Sequence, residues 1–369
     1  MSSPEHRALR LGVVGPLPPP AGGMATQTHQ LVTLFQGEGL DVSLAQTNSP
    51  YRPRVVERLR GLRALFRLVP YLFTVWRLAG KVDVIHLMAN SGWSWQLFSA
   101  PVVWLAGLRR TPVIVNYRGG EARSYFAKSF RFVRPTLRRA SGVVVPSGFL
   151  KQVFAEFGVD TQVIPNIINL ERFCPAPDHD DGGSNVNRPF RLIITRNLEP
   201  IYGIPTAIAA LALVREKIPS VELAIAGSGP QKTELEAQVA ALGLNNCVSF
   251  VGRLDAKQIV DFYRSADAMV NPTTVDNMPN SVLEALACGV PVVTTDVGGI
   301  PYIVRDGETA LLVPAGNAEL MAVAIVRILR DEAMRRSLVK NGLNAVQPYA
   351  WPQVKGQWQA LYESLRAEK

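Results

Sequence analysis

Short apolar runs alternate along this chain with longer stretches in which apolar residues recur every three or four positions. The runs Leu9–Gly15, Val42–Ala45, Val82–Leu87, Pro112–Asn116, Gly142–Pro146 and Gln162–Pro165 read as buried strands. A helix from about Thr26 places Leu31, Leu34 and Phe35 on one face. A second alternating set follows at Phe190–Thr195, Val221–Gly227, Val248–Val251, Ala268–Asn271 and Val290–Thr294. Such alternation predicts parallel sheets with helices on both faces. Between the two sets, Cys174–Pro189 is rich in Pro, Gly, Asp and Asn and reads as a linker. The expectation is an α/β protein with a first domain over residues 1–173, a linker over 174–189 and a second doubly wound domain over 190–349. A last helix near Trp351–Leu365 carries Val354, Trp358 and Tyr362. Two doubly wound halves predict a ligand cleft at the facing carboxyl ends of their strands.

Composition narrows the partners. The 369 residues are too many for one ordinary core and suit two. The formal net charge of +9 favours anionic partners: nucleic acid, acidic lipid or diphosphates. Nucleic acid is set aside, because no recognition motif accompanies the charge. Cys174, Cys247 and Cys288 are sparse and unclustered, which points to a reducing cytoplasm. The opening MSSPEHRALR has no apolar core of a signal peptide. The longest apolar stretch, Trp93–Leu108, contains Gln96 and Pro101 and is short for a membrane span, which leaves surface attachment open. The four histidines show no metal-ligand spacing, and Asp178-His179-Asp180 lies in the linker as solvated charge. The sequence therefore predicts neither a structural metal nor an obligatory catalytic one.

The candidate chemistry is concentrated in Asp276 to Gly299, DNMPNSVLEALACGVPVVTTDVGG. Two carboxylates, Asp276 and Glu284, flank a helix entry at Asn277–Ser281. Pro279 limits φ there, and Asn280 or Ser281 is expected to cap the helix. The amides at such an entry suit a diphosphate, since the helix dipole is positive at that end. Glu284 then lies about one turn inside, where a carboxylate can accept both hydroxyls of a ribose. Cys288-Gly289 closes the helix before a short buried strand.

This segment resembles the nucleotide-sugar signature of the family-4 retaining glycosyltransferases, which have a GT-B fold of two Rossmann-like domains facing a central cleft. The family pattern is Glu-x7-Glu followed by Ala-x-Ala-x-Gly-x-Pro-Val. Here Glu284 is in place and the first acid is Asp276, one methylene shorter. The resemblance implies that Glu284 holds the ribose and Asp276 reaches the hydroxyls of the donor sugar. It extends to Arg196 after the first strand of the second domain, which neutralises the departing diphosphate. The family's partner lysine is replaced by Tyr202. Three readings follow: another cation such as Arg253 or Arg118 substitutes, the tyrosine suits a different donor, or the enzyme is slow or inactive. Gly229 belongs to a turn resembling the family's Gly-x-Gly-Pro. Phe250-Val251-Gly252-Arg253, with Val251 and Arg253, resembles the family's strand whose end meets the nucleotide base. The Gly22-Gly23 loop after the first strand resembles one that faces the donor across the cleft. Ile164–Asn169 with Arg172-Phe173 resembles the segment before the family's linker. The resemblance also implies that a C-terminal helix over 350–369 crosses back to complete the first domain.

Arg118 ends a strand, where contact with a phosphate and a strand-end salt bridge are equal alternatives. His86 reads as a buried, satisfied histidine. Tyr51–Ala79 carries seven arginines, with Leu59, Leu62, Phe66, Val69, Phe73 and Trp76 at helical spacing and Pro70 interrupting. Attachment to an anionic membrane surface and ordinary core packing are equal readings of it. The expected enzyme is a cytoplasmic hexosyltransferase that takes a nucleotide-sugar donor and a glycan or lipid-linked acceptor and needs no cofactor; the resemblance implies front-face attack by the acceptor hydroxyl, and attachment at the inner face of a membrane stays open. A nucleotide-sugar epimerase and a degenerate sugar-nucleotide-binding subunit stay open.

Overall fold

The computed structural model describes residues 8–19, 22–50, 63–177 and 188–367. The chain forms two compact units, Met1–Ile167 with Trp351–Lys369, and Ile168–Ala350. The sequence reading carried the first domain to residue 173. In the structure Ile164 and Ile167 are buried in a core of the first unit, whereas Ile168 and Phe173 are buried in one of the second. Most of the expected linker, residues 178–187 with Asp178-His179-Asp180, lies outside the described residues.

The first unit builds a six-stranded parallel sheet from β1 (Arg10–Gly15), β2 (Asp41–Gln46), β3 (Val84–Ala89), β4 (Val113–Tyr117), β5 (Gly142–Val145) and β6 (Gln162–Val163). Its order is β2-β1-β3-β4-β5-β6. Helix α1 (Gly23–Gly37) follows β1, and α2 (Arg63–Ala79), α3 (Ala100–Leu108), α4 (Ala122–Arg139) and α5 (Gly148–Glu156) follow in turn. Apolar residues of α2 to α5 share one buried cluster. Pro70 does not break α2, which runs through it, and the portion of the basic segment before residue 63 lies outside the described residues.

The second unit repeats the design with β7 (Phe190–Thr195), α6 (Ile204–Lys217), β8 (Val221–Ala226), α7 (Lys232–Ala241), β9 (Val248–Gly252), α8 (Gln258–Arg264), β10 (Ala268–Asn271), α9 (Asn280–Ala287), β11 (Val292–Thr295), β12 (Leu311–Val313), α10 (Ala318–Arg330) and α11 (Glu332–Ala345). All its strand pairs are parallel, in the order β12-β11-β10-β7-β8-β9. The sequence reading missed β12, because three residues are too few to show a period. No helix among the described residues is long and apolar enough to cross a membrane.

The last helix, α12 (Trp351–Ala367), belongs to the first unit, as the resemblance implied. Its Val354, Trp358, Tyr362 and Leu365 pack with Phe35 of α1 and Leu11 and Val13 of β1. His86 is fully buried beneath it. Its Nδ1 lies 2.7 Å from the Tyr362 hydroxyl, its Nε2 2.9 Å from Asn116 Nδ2, and its ring packs on Trp358. Burial holds it neutral, with its pKa lowered to about 3. It is the satisfied core histidine that the sequence suggested.

Candidate active site

In the second unit the chain leaves β7 to build β8 and β9 on one side, then returns to build β10, β11 and β12 on the other. The carboxyl ends of β7 and β10 therefore flank a topological switch point, where open α/β sheets bind their ligands. Arg196 is the first residue after β7 and Asn271 the last of β10. The Arg196 guanidinium donates through Nε to Asn271 Oδ1 at 2.9 Å and through Nη2 to Asp276 Oδ2 at 2.5 Å. It also lies over the Tyr202 ring, 5.0 Å from the centroid. The Arg196 and Asp276 side chains are only 12% and 14% exposed, so removing either partner would leave the other charge buried and unpaired in this contact.

Asn271 is fully buried, and its Nδ2 donates to Thr294 Oγ1 at 2.8 Å. That bond orients the amide so that its oxygen faces Arg196. Asp276 Oδ1 accepts from the Asn277 amide at 2.8 Å. The loop carrying Asp276 rests on Gly298 and Gly299. Gly298 has φ +57°, and a Cβ on either residue would collide with the carbonyl oxygens of Asp276 and Asn277 respectively. The Gly299 amide donates to the Asp276 carbonyl at 2.9 Å.

Glu284 lies one turn inside α9 and is partly buried. Tyr263, fully buried on α8, donates to Glu284 Oε2 at 2.9 Å, and its hydroxyl is 2.9 Å from Thr195 Oγ1. Burial raises the Glu284 pKa above the ordinary carboxylate range, and the bond from Tyr263 partly offsets this. Neither Asn280 nor Ser281 caps α9. Pro279 occupies the N-cap, and it lacks a side chain able to accept from the first amides. Asn280 and Ser281 are the first two helical residues. Ser281 is 7% exposed, and its Oγ has no hydrogen-bond partner among the described residues. A buried hydroxyl at a helix N-terminus is a ready contact for an anion.

Gly229 closes the turn after β8 against the Leu198 carbonyl oxygen, and Gly227 abuts the carbonyl of Arg196. Arg253 follows β9, and its Nε donates to Ser228 Oγ at 2.6 Å, which places a second guanidinium on the turn that backs Arg196. Val251 is exposed at the end of β9. Gly22 and Gly23 belong to the first unit, where they open α1 with open space around them. Arg118, also of the first unit, donates to Asn166 Oδ1, and burial lowers its pKa to about 10. Among the described residues no three His, Cys, Asp or Glu side chains are grouped to hold a metal ion.

Sequence reasoning missed Asn271, Tyr263 and Thr195. Each acts through another residue from a distant part of the chain, and only the turn Gly298-Gly299 carried a local signal.

Two parallel-sheet α/β units, with the last helix returned to the first, define a GT-B fold. Models of the glycosyl transferase 4-like domain and of glycosyl transferases group 1 match residues 22–166 and 178–345. The chain belongs to the group 1 glycosyltransferases of the family-4 type, and it is a glycosyltransferase. It is 27% identical to the phosphatidyl-myo-inositol mannosyltransferase of Mycobacterium leprae, over 97% of each chain. Among solved structures it resembles the sucrose-phosphate synthase of Thermosynechococcus elongatus, with TM-score 0.76, 24% identity and coverage of 98% of this chain and 100% of that one. It also resembles Anabaena HepE in complex with UDP-glucose, with TM-score 0.75, 20% identity and coverage of 96% and 99%.

Proposed function

We propose that this enzyme transfers a sugar from a nucleoside-diphosphate sugar to a hydroxyl of a glycolipid or polysaccharide precursor, with retention at the anomeric carbon. The observation that carries the reading is that one switch point brings together a guanidinium fixed by Asn271 and Asp276 and a helix carrying a carboxylate one turn inside. Glu284 accepts the ribose hydroxyls, and Tyr263 holds its carboxylate in place. Asp276 orients the donor sugar. Arg196, the amides at the start of α9 and the Ser281 hydroxyl stabilise the departing diphosphate. Preorganised groups of this kind contribute through electrostatics, at about 3–4 kcal/mol for one well-placed contact.

Arg253 is the cation that stands in for the missing lysine. Tyr202 acts in another way, because its ring supports the Arg196 guanidinium, a contact of roughly 1–2 kcal/mol when partly desolvated. The acceptor oxygen forms its bond to the anomeric carbon on the face from which the diphosphate leaves, and the acceptor proton departs on that diphosphate. No covalent nucleophile is used. These cations and amides supply the charge, so turnover needs no metal and withstands a chelator. The relatives' acceptors, phosphatidyl-myo-inositol and inositol phosphate among them, support a lipid-linked or polar hydroxyl acceptor met at the inner face of a membrane.

The test is turnover of UDP-, GDP- and ADP-sugars with lipid-extract acceptors, with the anomeric configuration of the product read by NMR. Transfer with retention is expected. Inversion, or epimerised donor formed without acceptor, would overturn the reading.

A further inference from the structure

Helices α2, α3 and α4 lie side by side on one face of the first sheet, and their inner residues share one core. Residues 63–79, 100–110 and 122–139 together hold eleven arginines and lysines and not one acid. The rest of the chain has 28 basic residues against 30 acidic ones, so these three segments carry a charge of +11 and the remainder −2.

The same helices leave large apolar side chains in solvent. Phe66, Val69 and Phe73 on α2 are 47%, 62% and 61% exposed, Leu108 on α3 is 69% exposed, and Phe132 on α4 is 59% exposed. The arginines are seated among them. The guanidiniums of Arg77, Arg109, Arg131 and Arg139 lie over Phe73, Trp76, Phe132 and Trp104, at 4.4 to 5.6 Å from the ring centroids. Among the described residues none of these four pairs with a carboxylate.

The pattern is continuous from helix to helix. Arg109, just past α3, reaches the Trp76 carbonyl of α2. Trp104 of α3 donates to Thr136 Oγ1 of α4 at 3.0 Å. Beside it, Arg110, Thr111, Arg139 and Ser141 border an open depression of about 270 Å³. Arginine in a last turn is favoured by the helix dipole, which accounts for a few of these charges. It does not account for the exposed apolar side chains or for the lack of any acid.

We propose that the exposed faces of α2, α3 and α4 form one surface that docks on an anionic lipid bilayer. The arginines meet the headgroup phosphates, and the aromatic and aliphatic side chains between them enter the boundary with the acyl chains. A nucleic acid would use the charge but would leave Val69, Leu108 and Phe73 in water. The proposal deepens the surface attachment in the functional reading and does not depend on the donor chemistry.

The test is sedimentation of the full chain with phosphatidylcholine vesicles, with and without phosphatidylglycerol, at two salt concentrations. Donor binding is followed separately by thermal shift. Binding is expected only with phosphatidylglycerol and should weaken with salt. The double variant Arg131→Ala/Arg139→Ala should lower the partition coefficient about 30-fold, at about 1 kcal/mol per basic residue near an anionic leaflet. The variant Phe73→Ser/Leu108→Ser should lower it while keeping its salt dependence. Both should keep the wild-type donor shift. Absence of vesicle binding, equal binding to neutral vesicles, preference for an RNA duplex or unchanged partition in both variants would overturn the proposal. Vesicle binding without any donor response would instead count against the functional reading alone.

Discussion

At the scale of single residues the site depends on how charge is restrained. In the proposed role Glu284 must be ionised to accept two hydroxyls, yet burial raises its pKa, and the Tyr263 hydroxyl is the hydrogen bond that opposes that shift. As pH falls through this raised pKa the carboxylate is lost, so the donor KM should rise at a pH above the usual glutamate range. Tyr263→Phe removes the opposing bond, raises the pKa further and should move that acidic limb to higher pH. A pH–KM profile identical to the wild type would exclude the role given to Tyr263. Arg196→Ala should lower kcat about 100- to 1,000-fold, as for loss of one preorganised contact. Tyr202→Lys should bring no gain in turnover, because it replaces a ring that supports Arg196 with a like charge. A large gain would mean that the chain lacks a second cation. Glu284, Asp276 and Arg196 were legible because each sits in a local string. Asn271 and Tyr263 were not, since their hydrogen bonds span 75 and 21 positions.

At the scale of elements, the Asp276 loop is held from behind by the turn after β11. Gly298 combines a left-handed φ with contact against the Asp276 carbonyl, so Gly298→Ala combines backbone strain with a collision. It should displace Asp276 from Arg196 and cost about 1–3 kcal/mol of stability along with most of the activity. Thermal unfolding and turnover measured on one preparation check this, and wild-type values in both would refute it. The alternating apolar runs located eleven of the twelve strands among the described residues, because a buried parallel strand is nearly continuous in Val, Ile and Leu. The start of α9 was misread. A polar residue after Pro279 looked like a cap, but proline already occupied that position, and Ser281 was left with a buried hydroxyl free for a ligand.

At the scale of the whole molecule, a helix from the end of the chain completes the first unit, with His86 as its polar anchor. An unfolded histidine takes up a proton near pH 6.5, whereas buried His86 resists until about pH 3. The unfolded state therefore binds the extra proton, and stability should fall as pH drops from 6.5 towards 3, by at most about 1.4 kcal/mol per pH unit from this residue. His86→Gln should flatten the slope of unfolding free energy between about pH 6 and 4, and an unchanged slope would show that the histidine is not held neutral. The two-domain architecture was legible in the sequence. The boundary inside Ile164–Phe173 was not, because consecutive apolar residues there are divided between two cores and no local pattern marks which goes where. The central claim is that the switch point between β7 and β10 binds a nucleoside-diphosphate sugar through Glu284 and Arg196. The most direct test is calorimetric titration of UDP-, GDP- and ADP-sugars into the wild type, Glu284→Ala and Arg196→Ala. The account predicts saturable binding of one nucleotide class by the wild type, abolished in Glu284→Ala and weakened in Arg196→Ala. Equal binding by all three proteins would contradict it.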